Sequence, residues 1–422
     1  MTARRAAAEL LVAVTEQGRA LEDALATAPS FTALAGRDRG FARAIAAATL
    51  RRLGGIDAVL ARFLERPLPQ SAAHARALLR TGAAQLLVLN TPAHAAVGET
   101  VAAASSLAQA RPFARLINAV LRKVASQGAE ILAAQAPGAD LPQWLFTRWR
   151  AAYGSESANE IANALQVEPP LDFTVKTDAQ SWAERLHGDV TPTGSVRLVA
   201  SGVDALPGFE NGAWWVQDAA AALPARLLGD VRGQDVLDLC AAPGGKTLQL
   251  AAAGANVTAL DRAEERLALL KQNLERTGLS AKIVCADAVS WRSEKRFDAI
   301  LLDAPCTSTG TLRRHPDVAW LRRPSDVQSL SALQTRLLNA AGELLKPGGR
   351  LVYAVCSLEP EEGEGVVAQA LGSGWRREAI GQEEIAGAEA FVTRDGDLRT
   401  LPSQWSGIGG LDGFFAARLV RA

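Results

Sequence analysis

The sequence predicts three parts in order: an all-α helical bundle, a small α+β connecting module and a C-terminal α/β doubly wound sheet. Three observations carry this. Residues 1–125 place apolar side chains three and four apart, with abundant Ala and Leu and few β-branched runs, which is the pattern of packed helices. From about Val216 onward, short apolar runs alternate with helical stretches, as in a mainly parallel sheet covered on both faces. Between these regions the composition of 127–142 shifts to Ala, Gly, Pro and Gln, which fits a linker. A chain of 422 residues needs more than one core. The expected bounds are 1–130 for the bundle, 141–215 for the connecting module and 216–422 for the sheet domain.

The periodicity predicts helices over 3–16, 39–52, 57–64, 71–89, 97–106 and 112–126, interrupted at Pro67-Leu68-Pro69 and at Thr91-Pro92, where proline breaks the helical hydrogen-bond ladder. Short helical pieces follow at 144–153 and 158–165. The connecting module is expected to hold strands near 172–176 and 196–199. In the last part the expected strands are 236–239, 256–260, 283–285, 299–302, 351–354 and 414–420, with helices over 247–253, 263–277 and 328–345.

Composition excludes several classes. With 48% hydrophobic and 21% charged residues the chain should fold, and no run reaches the length of a membrane span. Glu9 and Glu16 interrupt the apolar N-terminal stretch, against a signal peptide, so a cytoplasmic protein with no membrane partner is expected. The four cysteines, Cys240, Cys285, Cys306 and Cys356, show no paired zinc spacing and the four histidines are scattered, so no metal is expected. Net charge is zero, yet residues 1–150 carry 18 Lys and Arg against 10 Asp and Glu. A positive front suits a polyanion such as RNA, although a solvated helical surface would look the same.

The first chemical motif is Val236-Leu237-Asp238-Leu239-Cys240-Ala241-Ala242-Pro243-Gly244-Gly245-Lys246-Thr247. A strand runs into a glycine turn and a helix start, so backbone can approach a nucleoside closely. A phosphate-loop reading fails because Cys240 stands where it needs glycine. Asp261 ends the second strand at the distance where an acid can hold a ribose diol, and Asp287 after the third could contact an adenine amino group. Either could instead be a helix cap.

The second motif is Asp303-Ala304-Pro305-Cys306, followed by Arg313-Arg314-His315-Pro316 and Trp320, and the third is Val355-Cys356-Ser357. If the strands before Cys306 and Cys356 are neighbours, both thiols open onto one cleft. Cytosine C5 is a poor nucleophile, but a thiolate adding to C6 converts the ring to an enamine that can attack a sulfonium methyl. An acid on the N3/N4 edge stabilises that adduct, and a base must then remove the C5 proton. The bland alternative is that each cysteine is a small buried hydrophobe. Arg313, Arg314, Arg322 and Arg323 around His315 and Trp320 suit phosphate contacts and base stacking, or form a solvated helix start.

On the segments Cys240–Lys246, Asp303-Ala304-Pro305-Cys306 and Val355-Cys356-Ser357, the chain resembles the RsmB/Sun family of RNA cytosine-5 methyltransferases, and its front resembles the NusB-like RNA-binding domain of one bacterial branch. The ending Leu411-Asp412-Gly413-Phe414-Phe415 extends the likeness to the whole chain. The resemblance implies a Rossmann-like class I methyltransferase domain and S-adenosyl-L-methionine as cofactor, bound by Cys240, Ala241, Ala242, Pro243, Gly244, Gly245, Lys246, Asp261, Asp287 and Asp303. It implies Cys356 as C6 nucleophile, Cys306 in product release, Asp303 facing the cytosine, and 16S ribosomal RNA as substrate. A monomer is expected, though the sequence does not specify the oligomeric state. Val355 departs from the family's usual Thr, and Glu361-Glu362-Gly363 stands where Glu-Asn is usual. The other readings are an assembly factor with an inactive sheet, an adenine amino-methylating enzyme, which would have no use for Cys306, and a DNA cytosine-5 methyltransferase, whose nucleophile would be Cys306.

Overall fold

The computed structural model describes residues 2–200 and 202–421; the ends of the expected bounds at Met1 and Ala422, and Ser201 in the middle module, lie outside the described residues. The chain forms two compact units: one runs to Val167 and takes in Leu312–Arg323, and the other comprises Glu168–Thr311 and continues from Pro324.

The first unit is helical: α1 (Ala3–Thr15), α2 (Leu21–Thr27), α3 (Pro29–Thr32), α4 (Gly36–Arg51), α5 (Leu53–Ala61), α6 (Ala73–Leu87), α7 (Ala93–Ser106), α8 (Ala114–Ala133) and α9 (Gln143–Ala164). Thr2 caps α1 by accepting the Arg5 amide, and Ala6, Ala7, Leu10, Leu11 and Val14 form its buried face. The alanine-rich faces of α1, α4, α6 and α7 let helices pack closely around one core. Helix α8 continues to Ala133, through residues whose Ala, Gly and Gln content suggested a linker. Alanine and glutamine are good helix formers, and Gly128 lies against Leu87 and Val124, where a larger side chain would crowd. At Gly154, φ of 81° breaks the run from Gln143 into two pieces.

The second unit opens with an antiparallel sheet in the order β2–β3–β1–β4, made of β1 (Leu171–Val175), β2 (Asp189–Val190), β3 (Val196–Leu198) and β4 (Trp214–Val216), with α10 (Ala179–Leu186) beside it. A buried ion pair locks it: Arg197 donates to both carboxylate oxygens of Asp172, at 2.6 and 2.7 Å.

After the short α11 (Leu223–Arg226), the large sheet holds β5 (Asp235–Leu239), β6 (Asn256–Asp261), β7 (Lys282–Cys285), β8 (Phe297–Asp303), β9 (Leu345–Val355), β10 (Trp375–Arg377), β11 (Leu398–Arg399) and β12 (Phe415–Arg421). Its order is β7–β6–β5–β8–β9–β12–β10, parallel from β7 to β9 and antiparallel beyond, with β11 on β12. Central strands such as β8 are nearly continuous apolar runs because both faces are covered. The covering helices include α12 (Gly245–Ala252), α13 (Glu264–Thr277), α15 (Pro324–Leu344) and α16 (Glu364–Leu371); α14 (Val318–Leu321) belongs to the helical unit. Strand order reverses between β5 and β8, the switch point where such sheets open a crevice at their C-terminal edge. Among the described residues no helix is long and apolar enough to cross a membrane, and no group of three His, Cys, Asp or Glu could hold a metal ion.

Candidate active site

Every candidate residue in the second unit stands at the C-terminal end of a sheet strand. Strand β5 delivers Asp238 and the turn from Cys240 to Lys246, β6 ends on Asp261, β7 leads to Asp287, β8 ends on Asp303, and β9 leads to Cys356. The turn is built for close approach. Gly244 has φ of 110°, and a Cβ there would lie 3.0 Å from Leu270 Cγ, so conformation and space both require glycine. Cys240 also sits in the left-handed region, with φ of 61°, an unusual conformation for a residue with a Cβ.

Asp261 is buried and holds the turn: Oδ2 accepts the Ala242 amide at 3.1 Å and Oδ1 accepts the Ala263 amide at 3.0 Å. Each oxygen retains a further lone pair. Asp287 is exposed; one oxygen accepts the Val289 amide at 2.8 Å. Asp238 is fully buried, accepts the Thr247 hydroxyl at 2.5 Å on Oδ2, and has no partner for Oδ1. Burial pushes its carboxyl up to about 7.

Across the switch point, Lys246 Nζ donates to Asp303 Oδ2 at 2.8 Å and lies 5.1 Å from the Phe414 ring centroid. Burial alone would lower the ammonium's pKa, but the Asp303 charge and hydrogen bond outweigh it and raise it. Lys246 is therefore a fixed cation beside the half-buried Asp303.

The two thiols meet. Asp303 pairs with Ala354 in the β8–β9 register, which puts Cys306 and Cys356 at similar height on adjacent loops, with Sγ atoms 3.4 Å apart. Their environments differ. The hydrogen bond with Cys306 lowers the Cys356 pKa, burial and the Asp303 charge oppose it, and the Ser308 hydroxyl and Lys246 ammonium assist. The same hydrogen bond holds the Cys306 thiol well above its ordinary value, reinforced by burial, the Cys356 charge and the Glu362 carboxylate. Within the pair the Cys356 thiol is thus the more acidic and the Cys306 thiol the less acidic. Cys240 is different: burial and the charges of Asp261 and Asp303 push it up to about 12, which makes it a poor nucleophile. Cys285 is exposed, with its Sγ 3.8 Å from the Arg262 carbonyl.

The closing segment joins the site through a glycine contact. The Gly310 amide donates to the Cys356 carbonyl at 3.0 Å and the Gly413 amide to the Gly310 carbonyl at 2.8 Å, and a Cβ on Gly310 would lie 1.9 Å from the Gly413 oxygen. Val355, in place of a hydroxyl residue, is fully buried in apolar surroundings.

The basic and aromatic segment does something other than expected. Arg313 is 1% exposed, Trp320 Nε1 donates to the Leu50 carbonyl at 2.9 Å, and Asp317 accepts the Leu21 amide at 2.9 Å. Arg51 donates to the Arg313 carbonyl at 2.7 Å. Arg313, Asp317 and Trp320 thus take part in the packing of the helical unit, through partners some 270 residues away, beyond any local sequence signal. His315 and Arg323 remain exposed.

Comparison with known proteins agrees with this layout. Residues 225–420 match the family model described as 16S rRNA methyltransferase RsmB/F, and residues 1–126 match the NusB family. The chain is 37% identical to the ribosomal RNA small subunit methyltransferase B of Xanthomonas campestris, covering 100% of this chain and 98% of the relative. The protein of that name from Pseudomonas putida is also 37% identical, covering 100% and 99%. Among solved structures, PH0851 superposes with a TM-score of 0.78 at 22% identity over 99% of both chains, which supports the fold. A methyltransferase homolog protein from Pyrococcus horikoshii gives 0.56 at 29% identity over 67% of this chain and 96% of that one. On these matches the chain belongs to the RsmB/F family of 16S rRNA methyltransferases, with a NusB-family domain at its front.

Proposed function

We propose that the protein methylates C5 of a cytosine in small-subunit ribosomal RNA, with S-adenosyl-L-methionine as methyl donor, through a covalent adduct on Cys356. The observation that carries this reading is the asymmetric thiol pair, 3.4 Å apart, beside the Lys246–Asp303 ion pair.

The residues present fit the donor. The Gly244-Gly245 turn, with Gly244 at φ of 110°, brings backbone to the mouth of the crevice, the lone pairs left on Asp261 suit a ribose diol, and the exposed Asp287 suits an adenine amino group. With Cys240, Ala241, Ala242, Pro243, Lys246 and Asp303 these would line the pocket. When bound, the donor supplies an electrophilic sulfonium methyl.

The protein's own groups do the rest. Cys356 thiolate forms a bond to C6, and the C5=C6 electrons become available at C5. Asp303, oriented by Lys246, accepts a hydrogen bond from the N3/N4 edge and stabilises the adduct. Once Cys356 is a thioether it is a poor acceptor with no charge, so the hydrogen bond that most raises the Cys306 pKa is weakened and the Cys356 charge is gone. A water, or Cys306 once it has passed its own proton to solvent, then accepts the C5 proton. As that proton leaves, the C5–C6 double bond re-forms and the C6–S bond breaks, returning thiolate to Cys356.

The test is transfer of labelled methyl to bacterial small-subunit RNA by wild type, Cys356→Ala and Cys306→Ala. Cys356→Ala is expected to lose transfer by at least about 10³-fold. Cys306→Ala is expected to form a denaturant-resistant protein–RNA adduct that turns over slowly. RNA binding without transfer by the wild type would instead favour an assembly factor with an inactive sheet.

A further inference from the structure

One buried carboxylate touches both thiol-bearing loops. Glu362 is fully buried. Its Oε1 accepts the Thr307 amide at 2.9 Å and Gln334 Nε2 at 3.0 Å; its Oε2 accepts the Ser357 hydroxyl at 2.5 Å and the Thr307 hydroxyl. Thr307 follows Cys306 and Ser357 follows Cys356, so each cysteine is one residue from a group bonded to the same carboxylate. The Gln334 amide also donates to the Pro305 carbonyl at 2.9 Å, gripping the Cys306 loop from its other side. Glu362 is itself held by the Tyr353 hydroxyl, which donates to its carbonyl at 2.5 Å.

A carboxylate is costly to bury unless its lone pairs are satisfied, and one that collects donors from three segments fixes their relative positions. The two loops touch directly through the Gly310 amide on the Cys356 carbonyl and the Thr307 and Ser357 hydroxyls 3.0 Å apart, and Glu362 ties the residue after each cysteine to one acceptor.

We propose that Glu362 is the positioning residue for the thiol pair: by accepting hydrogen bonds from the residue after each cysteine, it fixes the two loops so that Cys306 Sγ stands beside Cys356 Sγ. This rests on the reading of Cys356 as nucleophile and extends it. The negative charge of Glu362 acts in the same sense, since it raises the Cys306 pKa. The other groups facing the pair are Asp303, Lys246 and Ser308 from their own loops and the glycine turn, and the Tyr353 hydroxyl from β9.

The experiment is site-resolved alkylation of the intact protein by iodoacetamide at several pH values, read by peptide mass spectrometry, with a thermal melt of each variant. Wild type is expected to alkylate Cys356 ahead of Cys306. Glu362→Gln keeps the shape but loses the charge and one acceptor, and is expected to lower the Cys356:Cys306 ratio about tenfold. Its KM for S-adenosyl-L-methionine is expected to stay within about twofold while single-turnover adduct formation falls with the ratio. Ser357→Ala removes one hydroxyl from the same carboxylate and is expected to lower the ratio about threefold, which keeps the test decisive if Glu362→Gln fails to fold. Wild-type ratios in Ser357→Ala and in any folded Glu362→Gln would overturn the proposal. The alkylation readout needs neither RNA nor methyl donor, so it separates this proposal from the cytosine chemistry: failure of the latter would leave wild type with its thiol preference but no adduct.

Discussion

The chemistry of the site resides in how neighbouring residues shift one another's protons. Asp238 shows the principle apart from the reaction. Its folded pKa, about 7, lies above the ordinary aspartate value of 3.8, so the folded state binds this proton more tightly than the unfolded chain. That stabilisation is fully present below pH 3.8 and is lost as pH rises through 7. Asp238→Asn keeps an acceptor for Thr247 and removes the titration. Urea unfolding should show the variant gaining on wild type by on the order of 4 kcal/mol between pH 4 and pH 7.5, three pKa units of linkage; parallel profiles would contradict the assignment. At this scale the sequence was informative about residue type: Cys306, Cys356, Asp303 and Asp261 stand where strand ends place chemistry. It did not reveal Glu362, because a glutamate in a Pro-Glu-Glu-Gly run looks like an exposed loop, and its burial follows from partners 28 and 55 residues away.

At the scale of elements, alternation of short apolar runs with helices made the sheet legible. The expected strands at 236–239, 256–260, 283–285 and 299–302 are the cores of β5 to β8. The antiparallel edge formed by β10, β11 and β12 was only partly legible, since strands of two or three residues carry too little periodicity to read. The contact of Gly310 with Gly413 belongs here, because it is where the Cys306 loop, the Cys356 loop and the segment before β12 close on one another. Gly310→Ala puts a methyl group onto the Gly413 carbonyl, which backbone on both sides cannot yield without moving the Cys356 loop. The expected cost is about 2–3 kcal/mol in a denaturant melt, the usual range for overpacking, together with a loss of methyl transfer larger than the loss of stability explains. A wild-type melt would contradict the contact.

Across the whole molecule, the division into a helical front and a sheet domain followed from composition and periodicity, whereas the membership of Leu312–Arg323 in the helical unit did not. Arg and Trp in a short amphipathic piece read equally well as a nucleic-acid contact. What decides between the readings is a set of hydrogen bonds to Leu21, Leu50 and Arg51, which sequence pattern does not encode. Trp320→Ala removes a half-buried indole and its hydrogen bond to the Leu50 carbonyl. The expected result is a loss of about 2 kcal/mol from the helical unit, with faster proteolysis of that unit; an unchanged melt with weakened RNA binding would favour the stacking role.

The claim at the centre of the account is that Cys356, and not Cys306, bonds to the base. Its most direct measurement uses small-subunit RNA carrying 5-fluorocytidine, whose C5 position lacks the proton needed for release, so the adduct is trapped after methyl transfer. Nuclease and protease digestion followed by mass spectrometry then identifies the attached residue. The expected product is a methylated fluorocytosine joined through C6 to the peptide containing Cys356. Attachment to Cys306, or methyl transfer to unmodified RNA with no trapped adduct on the fluorinated one, would contradict it.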